Sequence, residues 1–248
     1  MKKYNWRIPA AMAILAASVL LFVFVLWAGD VKPPDNAALD AMDSDSQVIV
    51  NGENGRVIFY PTKDSRPATG FIFYPGGKVD HRVYAPVLRS IAAEGYFVVL
   101  TPMPLSLALL DTNAGAVVQS KYPEIENWFV GGHSLGGVAA SRFARGRESI
   151  SGLVLWAAYP GDDSLRGEDL PVLLIYGTKD GLFPESRAVD SRSLLPDDTV
   201  FVGIEGGNHS QFGSFGLQAG DNPAEISSDE QQAQIAAATV KFFIEVLK

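Results

Sequence analysis

The chain contains no cysteine. That excludes disulfides, thiolate metal sites, a cysteine nucleophile and a lipidated N-terminal cysteine, and it leaves the redox compartment open. Histidine is almost as scarce, with only His81, His133 and His209. No histidine pair or acidic cluster has the spacing of a metal site, so neither a metal nor another cofactor is expected. Basic residues are outnumbered, 20 against 28 acidic ones, for a formal charge of −8. Without a basic stripe, the sequence argues against nucleic acid as the main partner. It also has no internal repeat. What remains is a chain of 248 residues, 47% hydrophobic, with 24 glycines and 15 prolines. That suits one globular domain built with many short connections.

The first residues stand apart. Lys2, Lys3 and Arg7 precede an uncharged run over residues 8–29, which Asp30 ends. At about 1.5 Å per residue such a helix crosses a hydrocarbon core of about 30 Å. We therefore read residues 1–29 as a membrane anchor. A cleaved signal peptide is the alternative, although Leu26-Trp27-Ala28 is a poor cleavage site. The basic residues lie before the span and Asp30, Asp35, Asp40, Asp43 and Asp45 after it, so the positive-inside rule keeps the N-terminus cytoplasmic and the domain outside. Trp6 and Trp27 sit near the two ends, as interfacial anchors would. Residues 30–47, with Pro33-Pro34 and scattered aspartates, read as a solvated acidic tether, and 48–248 as the folded domain.

Within that domain, short apolar runs at 57–60, 71–74, 96–100, 128–130, 153–156, 172–176 and 200–204 read as strands, most of them buried on both faces. Helical patterns lie between and after them, at 84–93, 114–120, 135–144, 185–195 and 231–248. This alternation predicts the α/β class: a mostly parallel, doubly wound sheet flanked by helices.

One pentapeptide carries chemistry: Gly132-His133-Ser134-Leu135-Gly136. It succeeds a strand and opens a helix, the setting of a nucleophile elbow, where a strained turn lifts a serine hydroxyl out of the sheet. G-x-S-x-G alone is a weak signal in a glycine-rich chain. It gains weight from two residues at later strand ends, Asp180 in Tyr176-Gly-Thr-Lys-Asp180-Gly and His209 in Gly206-Gly-Asn-His209. Serine needs a base to take its proton, and the base needs a carboxylate to hold its tautomer. Ser134, Asp180 and His209 are thus the candidate nucleophile, acid and base, in the order Ser, Asp, His. Asp162 and Asp163 are the second choice for the acid. His133 is held within the elbow, and His81 lies too early in the chain. For the oxyanion hole the expected donors are the backbone N–H groups of Leu135 and Gly77, with Lys78 as the alternative to Gly77.

On these segments the chain resembles the α/β-hydrolase superfamily, and more narrowly the compact fold-5 branch related to dienelactone hydrolases. The matching stretches are Tyr74-Pro-Gly-Gly-Lys-Val-Asp80, Gly131-Gly-His-Ser-Leu-Gly-Gly137, Tyr176-Gly-Thr-Lys-Asp-Gly181 and Gly206-Gly-Asn-His-Ser-Gln-Phe-Gly213. The resemblance covers about residues 50–248. It implies a serine-triad hydrolase on Ser134, Asp180 and His209. The dienelactone enzymes use a cysteine nucleophile, which this chain lacks, so their substrate is not carried over.

Only residues 157–170 separate Trp156 from Pro171, where many lipases insert a lid. No sizeable lid is expected, which gives an open site and disfavours interfacial lipase action. Phe212 and Phe215 either wall the pocket or fold back onto the last helix, and Lys78, His81 and Arg82 are available to a substrate carboxylate. The expected partner is a small-molecule acyl substrate, with the membrane engaged through the N-terminal helix. Hydrolysis of esters or related acyl compounds is the leading function. Acyl transfer to an alcohol would use the same residues. A non-catalytic binding module would show a broken triad or a blocked elbow, and neither is present.

Overall fold

A computed structural model describes residues 7–63 and 66–248. Lys2, Lys3 and Trp6, which bear on the membrane topology, lie outside the described residues. In chain order the elements are α1 (Arg7–Gly29), α2 (Asn36–Asp40), β1 (Val48–Glu53), β2 (Arg56–Pro61), β3 (Thr69–Tyr74), α3 (Ala85–Ala93), β4 (Phe97–Leu100), α4 (Ala114–Lys121), β5 (Asn127–His133), α5 (Leu135–Ala144), β6 (Gly152–Trp156), β7 (Val172–Gly177), α6 (Glu185–Asp190), β8 (Val200–Ile204) and α7 (Ser228–Val246). The strands form one sheet in the order β1-β2-β4-β3-β5-β6-β7-β8. From β4 to β8 every pair is parallel; β2 runs antiparallel to β4, and β1 to β2.

The pleat sends alternate residues to opposite faces. On one face Phe71, Phe73, Phe129 and Trp156 form an aromatic layer: Phe129 stacks on Phe243 of α7 at 4.1 Å, Phe71 meets Phe243 at 5.2 Å, and Phe73 meets Trp156 at 4.5 Å. α3 and α7 pack against each other over this layer. On the other face α5 lies against β3, β5 and β6 through Ala139, Ala140 and Phe143, all buried. Small residues on α5 let the helix approach closely, while the phenylalanines on α7 fill the wider gap.

Several boundaries differ from the sequence reading. β1 is not apparent in the sequence, because Asn51 and Gly52 dilute its apolar alternation. It forms through a two-residue hairpin at Asn54-Gly55, both at positive φ (50° and 77°), the geometry that matches strand twist. The single helix expected over 185–195 is α6 followed by a separate 3₁₀ turn, Ser191–Leu194. α7 starts earlier than expected, where the Ser227 hydroxyl accepts the Glu230 N–H as an N-cap.

The largest correction concerns residues 30–47. They are not a solvated spacer but lie against the domain. Asp35 caps α2 by accepting the Ala38 N–H, and Ala38 is fully buried. Arg89 of α3 donates to the Ala41 and Asp43 carbonyls and pairs with Asp45 at 2.6 Å. Arg89 and the backbone amides of Ala38, Gln47 and Val48 satisfy groups that composition alone would assign to water. The helix before this strap is exposed over nearly its whole length; Pro9–Gly29 is long and apolar enough to cross a membrane, with mean hydropathy 2.6.

Candidate active site

Because β3, β5, β7 and β8 run parallel, their carboxyl ends share one edge of the sheet. The strand order turns back at β3, with β4 on one side and β5 on the other, which opens a crevice at that edge. The loops after these four strands carry Gly77, Ser134, Asp180 and His209.

Ser134 sits between β5 and α5 at φ 51°, ψ −120°, a conformation that side chains rarely adopt. Its N–H is held by the Trp156 carbonyl at 3.0 Å, and its carbonyl accepts the Gly137 N–H at 3.0 Å. The flanking glycines make the turn possible. A Cβ on Gly136 would lie 2.1 Å from the Tyr74 carbonyl oxygen, and one on Gly132 would lie 2.4 Å from the Gly136 carbonyl carbon. Ser134 remains partly accessible.

Asp180 and His209 are brought together and buried. His209 Nδ1 lies 2.8 Å from Asp180 Oδ2. The other carboxylate oxygen, Oδ1, accepts the N–H groups of Leu182 (2.8 Å) and Phe183 (2.5 Å), so both oxygens of the buried acid are hydrogen-bonded. The runner-up acids are elsewhere: Asp162 is exposed and closes a local turn with the Ser164 N–H at 3.1 Å, and hydrogen bonding from the Ser164 hydroxyl first, then from its N–H, holds the carboxyl below the usual range.

Two residues missed in the sequence fix this pair. Asp221 accepts the Gly181 N–H through Oδ1, and through Oδ2 the Ser210 N–H and hydroxyl, at 3.0, 2.8 and 2.6 Å. It therefore clamps the turn after Asp180 to the turn after His209. Gln231 of α7, fully buried, exchanges two hydrogen bonds with the backbone of Asn208 at 2.9 and 2.7 Å. Neither carries a motif, because each acts across a gap in sequence.

In the loop after β3 the N–H groups of the candidate donors Gly77 and Lys78 differ in whether they have a partner. The Lys78 N–H is taken by the Ser106 carbonyl at 3.0 Å, and the Gly76 N–H by the Tyr84 hydroxyl at 3.0 Å. Gly77 lies between them, and its N–H has no partner among the described residues. A Cβ on Gly77 would meet Leu135 Cδ2 at 3.0 Å, so the loop lies directly against the residue after Ser134. Leu135 opens α5, where the N–H is an orphan of the first turn. Two backbone N–H groups without a partner among the described residues thus lie on adjoining segments, one of them directly after Ser134. The charges available to a substrate carboxylate on sequence grounds are engaged at home: Arg82 makes a two-pronged contact with Asp80 at 2.9 and 2.7 Å, and His81 lies 3.6 Å from the same carboxylate.

Behind the site, Tyr84 Oη lies 2.8 Å from His133 Nδ1. Burial pushes the Tyr84 hydroxyl up in pKa and His133 far down, the latter helped by His209, whose ring centroid is 4.4 Å away. Both are therefore neutral. Tyr84 accepts from Gly76, so its proton is directed at Nδ1, and the phenol ties the oxyanion loop to the elbow. Phe212 is fully buried and stacks on His133 at 5.2 Å, so it packs beneath the site instead of lining a pocket. Tyr84→Phe leaves the Gly76 N–H and His133 Nδ1 buried without their partner. It is expected to cost about 1–3 kcal/mol of stability and to lower kcat with little change in KM. Thermal melting and steady-state kinetics check this; a variant unchanged in both would refute the tie.

No group of histidine, aspartate and glutamate side chains able to hold a metal ion occurs among the described residues.

Comparison with known proteins bears on the family and the fold. The sequence model of the Alpha/beta hydrolase family matches residues 70–233. No curated protein matches the chain in sequence. Among solved structures, the fold is similar to the esterase domain of a Rhodothermus marinus protein (TM-score 0.60, 14% identity, covering 79% of this chain and 96% of that one). It is similar to a thermostable esterase from Pseudomonas putida ECU1011 (TM-score 0.61, 14% identity, 84% and 87%). It also resembles a butyrate-bound thermophilic esterase from Thermogutta terrifontis (TM-score 0.58, 12% identity, 81% and 95%). At these identities the likeness is one of fold.

Proposed function

The chain belongs to the alpha/beta hydrolase family, and from that premise we propose that it is a serine hydrolase of carboxylic esters acting through Ser134, His209 and Asp180. The observation that carries the reading is the buried Asp180–His209 hydrogen bond on the strand edge where Ser134 is held at φ 51°. The esterases with a similar fold support the same substrate class.

Each step has its residue. His209 takes the Ser134 hydroxyl proton as Oγ bonds to the ester carbon, and Asp180 stabilises the imidazolium through Nδ1. The N–H groups of Gly77 and Leu135 hold the negative oxygen, aided by the N-terminus of α5. Collapse breaks the bond to the alcohol, which leaves with the proton from His209. Water then attacks the acyl-enzyme, giving one proton to His209; the acid departs, and that proton returns to Ser134.

The exposed helix α1 reads as an anchor that holds this domain on the extracytoplasmic side, with Arg7 before the span and Asp30 after it. One reagent tests chemistry and topology. Purified parent protein is expected to react with a fluorophosphonate probe and Ser134→Ala to stay unlabelled. A membrane-impermeant version is expected to label intact spheroplasts. Folded but unreactive purified protein would sink the hydrolase reading; labelling only after lysis would sink the topology.

A further inference from the structure

The membrane helix does not end at a distance from the catalytic edge but on it. Ala28 is fully buried against the domain, although the residues before it in the span are open. The Trp27 ring lies 4.6 Å from Lys78 Nζ, and Lys78 also pairs with Asp30 at 3.6 Å. Lys32 then adds a short parallel bridge to the oxyanion loop: its N–H reaches the Lys78 carbonyl and its carbonyl accepts the Asp80 N–H, both at 2.9 Å. Three residues further, the Asp35 N–H bonds to the Ser214 carbonyl at 3.0 Å, on the loop after His209. The strap thus runs from the oxyanion loop to the histidine loop.

Lys78 is the neighbour of Gly77, and three residues of chain from Gly29 to Lys32 span at most about 10 Å. Tryptophan and lysine in contact at a helix end are residues that settle at headgroup depth. When α1 spans a bilayer, the oxyanion loop therefore lies at its surface. The neighbouring segment is built for the same place. Residues 104–110 read Pro-Leu-Ser-Leu-Ala-Leu-Leu without a charge, and the turn Pro104–Ser106 packs against α1. Leu105, Leu109 and Leu110 are 43%, 36% and 54% exposed. Leu107 of the same segment approaches Gly77, within 3.8 Å of where a Cβ would stand. The net charge of −8 offers no attraction to anionic lipid, so contact at this patch is apolar.

We propose that residues 104–110 sit in the leaflet from which α1 emerges, and that the substrate is an amphiphilic carboxylic ester resident in that leaflet, reaching Ser134 along the bilayer. This rests on the hydrolase and anchor readings above. The short 157–170 segment, which leaves little room for a lid and by itself speaks against interfacial action, takes a different meaning here: the bilayer supplies the apolar cover that a lid supplies elsewhere.

A chain without cysteine makes the test direct. The full chain carrying Leu105→Cys or Leu110→Cys, labelled with an environment-sensitive fluorophore and reconstituted in phosphatidylcholine vesicles, is expected to show blue-shifted emission quenched by spin-labelled lipid. Ser149→Cys, exposed before β6 at the opposite strand edge, is expected to show neither. In the same vesicles the parent is expected to cleave both water-soluble p-nitrophenyl butyrate and embedded umbelliferyl oleate. Leu105→Asp/Leu110→Asp is expected to keep the butyrate rate within about twofold and to lose at least about tenfold on the embedded ester, since charge leaves the apolar layer. No butyrate turnover by the parent would refute the hydrolase reading itself. Butyrate turnover with an untouched embedded ester, an unquenched label, or equal loss on both esters would overturn the membrane-surface proposal alone.

Discussion

His209→Ala is expected to lower turnover of a short-chain p-nitrophenyl ester by at least ~10³-fold, and adding Ser134→Ala is expected to lower it little further. The two residues act on one proton. Without the imidazole the serine hydroxyl is a poor nucleophile, and without the serine the imidazole has nothing to deprotonate, so either loss removes the same step. Residual activity in both variants would come from the Gly77 and Leu135 N–H groups, which neither substitution touches. Steady-state kinetics on the two single variants and the double variant measure this. Losses that multiply in the double variant would mean that the side chains act independently, and the triad assignment would fall.

Gly136→Ala is expected to destabilise the fold by at least about 3 kcal/mol, or roughly 6–12 °C of melting temperature for a domain of this size. The added Cβ would lie 2.1 Å from the Tyr74 carbonyl oxygen and 2.4 Å from that of Pro75. Those are backbone atoms of β3 and its loop, so no rotamer change relieves the contact, and α5 must move away from the sheet. The displacement would carry Leu135 with it and disturb the oxyanion pair even where the protein still folds. Gly52→Ala is the control: nothing stands within 4 Å of its Cβ, and it lies on β1, far along the sheet. Circular dichroism melts of the two variants decide the matter; a Gly136→Ala protein that melts with the parent would refute the steric clash.

Legibility in the sequence tracks the range of the interaction. The central strands are continuous apolar runs because both faces are covered, and each is visible for that reason. β1 is not, since its pairing depends on a hairpin turn and not on its own composition. The elbow is readable because Gly132 and Gly136 flank Ser134 closely. Asp180 and His209 are readable because parallel strands put their successive ends on one edge, so order along the chain stands in for position in space.

Residue order by itself therefore determined the α/β architecture, the apolar N-terminal span and the three side chains of the candidate site, all signals carried by neighbours in sequence or by periodicity. Tertiary structure alone decided which glycine N–H is left free, because Tyr84 and Ser106 come from other segments to occupy its neighbours. It alone assigned Asp221 as the clamp between two loops. It also turned residues 30–47 from an acidic spacer into a strap: the partners of Lys32, Asp35 and Asp45 lie from 44 to 179 positions away, at Val79, Ser214 and Arg89, beyond any local pattern.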